Sequence, residues 1–176
     1  NSISGSINRT GASGSFYCYY NLGSPTSGSE NIQNNNFSNI TVTGSSSLYG
    51  IYSYTSTSVS TRTCSGNILS NWIGGTGSTY GYYLLSTIDN NIYNNIFYHV
   101  NVGGAVYALR FTGTNPNVYN NIISDITTSG SSVYGIYDAG TGISQVYNNQ
   151  VNKLFSNATS VTMDGIYITG ATTNYV

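Results

Sequence analysis

The sequence predicts an all-β fold: a parallel β-helix, or β-solenoid, of about six coils of 26–33 residues, with residues 1–176 as a single domain. Three observations predict it. The motif apolar-x-Asn-Asn-x-apolar-x-x-apolar recurs along the chain. A second motif built on Tyr-Gly-Ile-Tyr recurs between its copies. Helix signals are missing: apolar runs last three to five residues between Gly, Asn and Ser, no 3.6-residue periodicity is sustained, and Ala, Glu, Lys and Leu are scarce. A unit of roughly 28 residues that repeats the same columns buries its apolar face only against the units above and below it.

The elements follow in chain order. The first asparagine motif is Ile32-Gln33-Asn34-Asn35-Asn36-Phe37, with Ile40 three positions on. A weaker copy, Cys64-Ser65-Gly66-Asn67-Ile68-Leu69, is followed by Trp72. Ile92-Tyr93-Asn94-Asn95-Ile96-Phe97 leads to Val100, and Val118-Tyr119-Asn120-Asn121-Ile122-Ile123 leads to Ile126. Val146-Tyr147-Asn148-Asn149-Gln150-Val151 leads to Leu154. The second motif alternates with the first: Tyr17-Cys18-Tyr19-Tyr20, Tyr49-Gly50-Ile51-Tyr52, Tyr80-Gly81-Tyr82-Tyr83, Tyr107-Ala108-Leu109-Arg110, Tyr134-Gly135-Ile136-Tyr137 and Asp164-Gly165-Ile166-Tyr167. Gly-containing stretches such as Gly44 to Ser47 and Gly130 to Ser132 separate the motifs, so the motifs read as strands and the separators as turns.

This grammar resembles the right-handed parallel β-helix repeat. It is most similar to the Asn/Ser/Thr/Tyr-rich form in large secreted surface proteins of Bacteroidota-type bacteria. The resemblance spans essentially the whole chain. It implies the fold and leaves the activity open, because that fold carries lyases, hydrolases, adhesins and fibre proteins alike.

Stacked coils turn equivalent positions into ladders about 4.8 Å apart. The second Asn of each motif gives Asn35, Asn67, Asn95, Asn121 and Asn149, expected as an internal structural ladder whose amides bond to the coils above and below. The columns of Ile32 and Phe37 are expected in the core, which makes Cys64 a small buried hydrophobe. Cys18 falls in the small column of Gly50, Gly81, Ala108, Gly135 and Gly165, so the two cysteines are not expected to pair. Tyr19, Ile51, Tyr82, Leu109, Ile136 and Ile166 should point inward. Strand alternation then turns Tyr20, Tyr52, Tyr83, Arg110, Tyr137 and Tyr167 outward, beside a shallow track of small residues. That tyrosine face is the candidate ligand or lateral-contact surface, for surface glycans or neighbouring rods; cross-coil aromatic stacking is its structural alternative. A last column, Asn39, Asn71, His99, Asp125 and Lys153, should place Asp125 between His99 and Lys153 as a modest surface ion pair rather than acid/base machinery.

The remaining composition narrows function. Four Lys or Arg and five Asp or Glu give a net charge of −1, so no basic footprint exists for nucleic acid or an anionic membrane surface. No apolar run approaches the roughly 18 residues of a membrane span. Asn, Ser, Thr and Gly make up more than half the chain, and 39% hydrophobic with 14% aromatic content argues against disorder and for a β-rich extracellular protein. The acids Glu30, Asp89, Asp125, Asp138 and Asp164 scatter over several coils, with Asp89 and Asp138 assigned to turns. No phosphate loop, nucleophile elbow or metalloprotease motif occurs, so no catalytic residue, metal or cofactor is expected. Asn-x-Ser/Thr sequons at Asn8, Asn36, Asn39 and Asn157 are what chance gives so Asn- and Thr-rich a chain, and Thr41-Val42-Thr43 and Thr55-Ser56-Thr57 share no column as an ice-binding array would require.

The ends carry a further expectation. Asn1 to Ile7 has no basic or apolar leader, which fits a mature or excised segment. Joined tail to head, Tyr175-Val176-Asn1-Ser2-Ile3-Ser4-Gly5-Ser6-Ile7 aligns with Val118 to Ile126, Tyr175 against Val118, giving a whole number of coils without a cap. Solenoids need polar caps, and open sheet edges pair with other chains. The expected partners are therefore adjoining coils or copies of itself, end to end. The expected role is a non-enzymatic structural or adhesive segment of an extracellular fibre or giant surface protein, with a carbohydrate-binding or polysaccharide-processing β-helix as the alternative.

Overall fold

The computed structural model describes residues 1–3, 6–11, 13–23, 27–55, 61–171 and 173–176. Ser4 and Gly5 of the tail-to-head alignment, and Ser56 and Thr57 of the threonine run, lie outside the described residues. Among the described residues every regular element is a strand, and the strands form a parallel β-solenoid of three sheets with six rungs each. The first sheet stacks Ser2–Ile3 with Ile7–Arg9, then Asn36–Val42, Ile68–Gly74, Ile96–Val102, Ile122–Thr128 and Gln150–Ser156. The second stacks Ser15–Asn21, Ser47–Thr55, Thr79–Ser86, Val106–Phe111, Ser132–Asp138 and Thr162–Ile168. The third stacks Ser29–Gln33, Thr61–Ser65, Asn90–Tyr93, Asn117–Tyr119, Ile143–Tyr147 and Thr173–Tyr175. Each strand pairs with its equivalent one coil away, so the sequence columns are structural columns: Ile92 lies between Cys64 and Val118, and Leu109 between Tyr82 and Ile136.

Two left-handed backbone positions shape each coil. The first Asn of the motif turns the chain from the third sheet into the first, with φ of 54–56° at Asn34, Asn94, Asn120 and Asn148. Gly66 takes this place in the weak copy, at φ 65°. Asn and Gly visit this region at least cost. The second left-handed position lies inside the first-sheet strands, at Asn39, Asn71, His99, Asp125 and Lys153. A regular strand would put residues three apart on opposite faces. The local reversal turns both Phe37 and Ile40 inward, likewise Leu69 with Trp72 and Phe97 with Val100, and all six are buried. The apolar-x-x-apolar spacing of the motif is the trace of that reversal.

The interior is a stack of apolar columns. Ile32, Cys64, Ile92, Val118 and Val146 are buried, and so are Ile40, Trp72, Val100 and Ile126. Trp72 donates its indole N–H to the Phe37 carbonyl at 2.9 Å, and Tyr82 donates its hydroxyl to the Asn67 carbonyl at 3.3 Å, so both large rings bury with their polar atoms satisfied. Both cysteines are free; Cys64 is buried and burial raises its thiol pKa, while Cys18 is half-buried and pushed up to about 12.

The ends correct the tail-to-head alignment. Tyr175 pairs with Gln145, one position before the column of Val118 and Val146. Asn1, not Ser2, joins the asparagine ladder, donating its amide to Asn35 Oδ1 at 3.1 Å. Ile3 pairs with Phe37 and so fills the apolar place that the alignment gave to Ser4, while Ile7 pairs with Ile40 as aligned. Four positions separate Ile3 from Ile7 where later coils use three, and this extra residue displaced the alignment. A seamless tail-to-head coil would need two more residues, at the places of Tyr119 and Asn120.

Candidate functional site

Both faces of the Tyr-Gly-Ile-Tyr strands depart from simple alternation. Gly50 and Ile51 both lie inside, as do Gly81 with Tyr82, Ala108 with Leu109 and Gly135 with Ile136. A Cβ on Gly50 would stand 2.3 Å from Leu69 Cδ2, which is why the column is small. The small residues therefore line the core rather than an outer track. What flanks the outward column of Tyr20, Tyr52, Tyr83, Arg110, Tyr137 and Tyr167 is a second aromatic column, Tyr17, Tyr49, Tyr80, Tyr107 and Tyr134.

The geometry of this face is specific. Tyr17, Tyr49, Tyr80, Tyr107 and Tyr134 stack with ring centroids 4.7, 4.8, 5.0 and 5.0 Å apart and interplanar angles of 6–18°. Tyr20, Tyr52 and Tyr83 stack at 5.2 and 5.4 Å, and Tyr137 meets Tyr167 at 5.2 Å. Edge-on contacts join the columns, as between Tyr49 and Tyr52 at 86° and Tyr134 and Tyr137 at 89°. Arg110 takes the place of a ring, its guanidinium 4.9 Å from Tyr83 and 5.3 Å from Tyr137, so planar cation–π stacking carries the column across. Tyr49, Tyr80 and Tyr107 each carry a stacked ring on both faces. Burial and the neighbouring phenols push the Tyr49 hydroxyl up to about 12. A third ladder, Tyr93, Tyr119 and Tyr147, stacks on the third sheet at 4.9 and 5.2 Å.

The asparagine column is an unbroken amide ladder. Asn35, Asn67, Asn95 and Asn121 each donate backbone N–H and side-chain amide to the Oδ1 of the Asn one coil on, at 2.8–3.0 Å. The inner amides also donate to carbonyls of the preceding coil, Asn95 to Cys64 and Asn121 to Ile92. Every Asn-to-Asn bond of the column thus runs the same way, from one coil to the next.

Repeat reasoning missed a charged cluster inside the rod. Arg62 is fully buried, and its Nε lies 2.7 Å from Glu30 Oε2. Asn21 Nδ2 donates to Glu30 at 2.6 Å, the Ser53 hydroxyl at 2.8 Å and the Tyr19 hydroxyl at 3.1 Å, while Arg62 also donates to Asn90 Oδ1 at 3.1 Å. Burial alone would raise the Glu30 carboxyl, but Arg62 and the other donors hold it below its ordinary value. Glu30, Arg62 and Asn90 share one column of the third sheet, where opposite charges one coil apart signal a pair. Asp138 does end a strand at a turn, accepting the Gly140 N–H at 2.7 Å and the Ser144 hydroxyl, yet it is wholly buried and burial raises its carboxyl.

Outside, His99 Nε2 meets Asp125 Oδ2 at 2.8 Å with both side chains about half exposed. Among the described residues no group of three or more His, Cys, Asp or Glu gathers as metal ligands would, and no helix is long and apolar enough to cross a membrane. An open cavity of ≈ 450 Å³ is lined by Ile143, Gln145, Tyr147 and Val176, at the edge of the last coil. No family model matches the chain, and neither a curated protein nor a solved structure matches it.

Proposed function

We propose that this chain is a non-enzymatic structural or adhesive β-solenoid, part of an extracellular bacterial surface fibre or giant surface protein, with its end coils covered by further coils. The observation that carries this reading is the state of the last coil. Ile166 is 37% exposed although its column-mates Ile51, Tyr82, Leu109 and Ile136 are buried, and Met163 is 39% exposed above the buried Val133. An interior column that opens to water at one end favours another rung on top. The first coil gives the same signal, since Ile3, Phe16 and Tyr19 pack on the core but remain half-exposed. The two acids drawn into polar clusters, Glu30 and Asp138, are committed to interior hydrogen bonds, which supports a role without acid/base chemistry. Glycan contact on the tyrosine face would run through hydroxyls and ring edges, because the ring faces are occupied.

The isolated chain should then associate end to end. Sedimentation velocity is expected to show species that lengthen with concentration, and the double variant M163K/I166K to remain monomeric with an unchanged circular dichroism spectrum. A wild-type chain that stays monomeric at all concentrations, or a variant that associates equally well, would overturn the reading.

A further inference from the structure

The tyrosine ladders bring together phenols that are one whole coil apart in sequence. Tyr49 and Tyr80 lie 4.8 Å apart at 6°, Tyr93 and Tyr119 4.9 Å apart at 7°, and Tyr119 and Tyr147 5.2 Å apart at 4°. All five are at the surface, Tyr147 40% exposed and the others half-buried. We propose that these parallel ladders are a site of oxidative modification, at which phenols of successive coils couple into dityrosine and staple the rod covalently. The rings stack within one chain, whether or not copies associate end to end.

The chemistry is a one-electron oxidation of each partner by a haem peroxidase using hydrogen peroxide. Each of two phenols gives up one electron and its hydroxyl proton, leaving two neutral phenoxyl radicals. A carbon–carbon bond forms between ring carbons ortho to the two oxygens. The hydrogen on each of those carbons then passes to oxygen, restoring two phenols. Two tyrosines therefore yield one dityrosine, two protons and two electrons, and one peroxide takes these up as two waters.

The fold supplies what the reaction lacks in a flexible chain. A radical on one ring has its partner already held at contact, so a slow encounter becomes a local event. Near-parallel rings bring like edges together, whereas edge-on pairs such as Tyr49 with Tyr52, at 86°, aim an edge at a face. Coupling should therefore follow the near-parallel columns. In the neighbouring column Arg110 separates Tyr83 from Tyr137, and a guanidinium offers no phenol to couple, so a link between those two rings is not expected.

The test treats the folded full chain with a haem peroxidase and hydrogen peroxide, then maps cross-linked peptides by mass spectrometry and follows dityrosine fluorescence. The expected result is links between successive rings of the near-parallel columns within single chains, at Tyr49–Tyr80 and Tyr80–Tyr107 on the second sheet and at Tyr93–Tyr119 and Tyr119–Tyr147 on the third, in yield at least about tenfold above the same chain in denaturant. The variant Y80F keeps a ring in the stack; it should lose the Tyr49–Tyr80 and Tyr80–Tyr107 links and keep the two on the third sheet. Links distributed without regard to the ladders, links formed only between molecules, or a pattern unchanged by Y80F would overturn the proposal.

Discussion

Single residues decide the electrostatics of this rod because so few charges are present and two of them meet inside it. Glu30 is held below its ordinary value by Arg62, so its contribution to stability is complete above the ordinary glutamate range and is lost as pH falls through the lowered one. Asp138 is raised by burial, so the opposite sign holds: its contribution is present at low pH and is lost as pH rises through the raised value. Thermal melts across pH should separate the two. E30Q strands a buried guanidinium and should cost about 3 kcal/mol at neutral pH while flattening the acid limb. D138N should be more stable than wild type at neutral pH, with the difference closing as pH falls. A wild-type advantage over D138N at neutral pH would contradict the burial argument. Neither group was legible in the sequence as a buried one. Repeat reasoning finds what recurs, and the column of Glu30, Arg62 and Asn90 changes residue type at every coil.

At the scale of one coil, sequence and structure agree where chemistry repeats. Asn35, Asn67, Asn95, Asn121 and Asn149 stood out because a buried amide has few substitutes that bond both ways along the axis. The left-handed position of Asn39, Asn71, His99, Asp125 and Lys153 was visible only as a polar column, since its backbone role admits several residue types. The inward turn of Gly50 beside Ile51 was not visible either; alternation predicts an outward glycine, and packing against Leu69 and Trp72 decides otherwise. The ladder itself can be tested with N95A. This removes the acceptor of two Asn67 bonds and the donor to the Cys64 carbonyl and Asn121. Leaving buried partners unsatisfied should cost at least about 2 kcal/mol in urea unfolding. A loss below half of that would show the ladder to be decoration on an apolar core.

For the whole molecule, the sequence predicted the stacking order but not the seam. The alignment of the ends was misplaced because one extra residue between Ile3 and Ile7 looked like a substitution at Ser4. The corrected register still leaves the interior columns of Ile166 and Met163 ending in water, and this is the feature on which the account of a continuing rod depends. Cryo-electron microscopy of the purified chain tests it most directly. The account predicts rods longer than one chain, with parallel strands about 4.8 Å apart running unbroken across each junction. Particles of single-chain length whose last rung is left unpaired would contradict it.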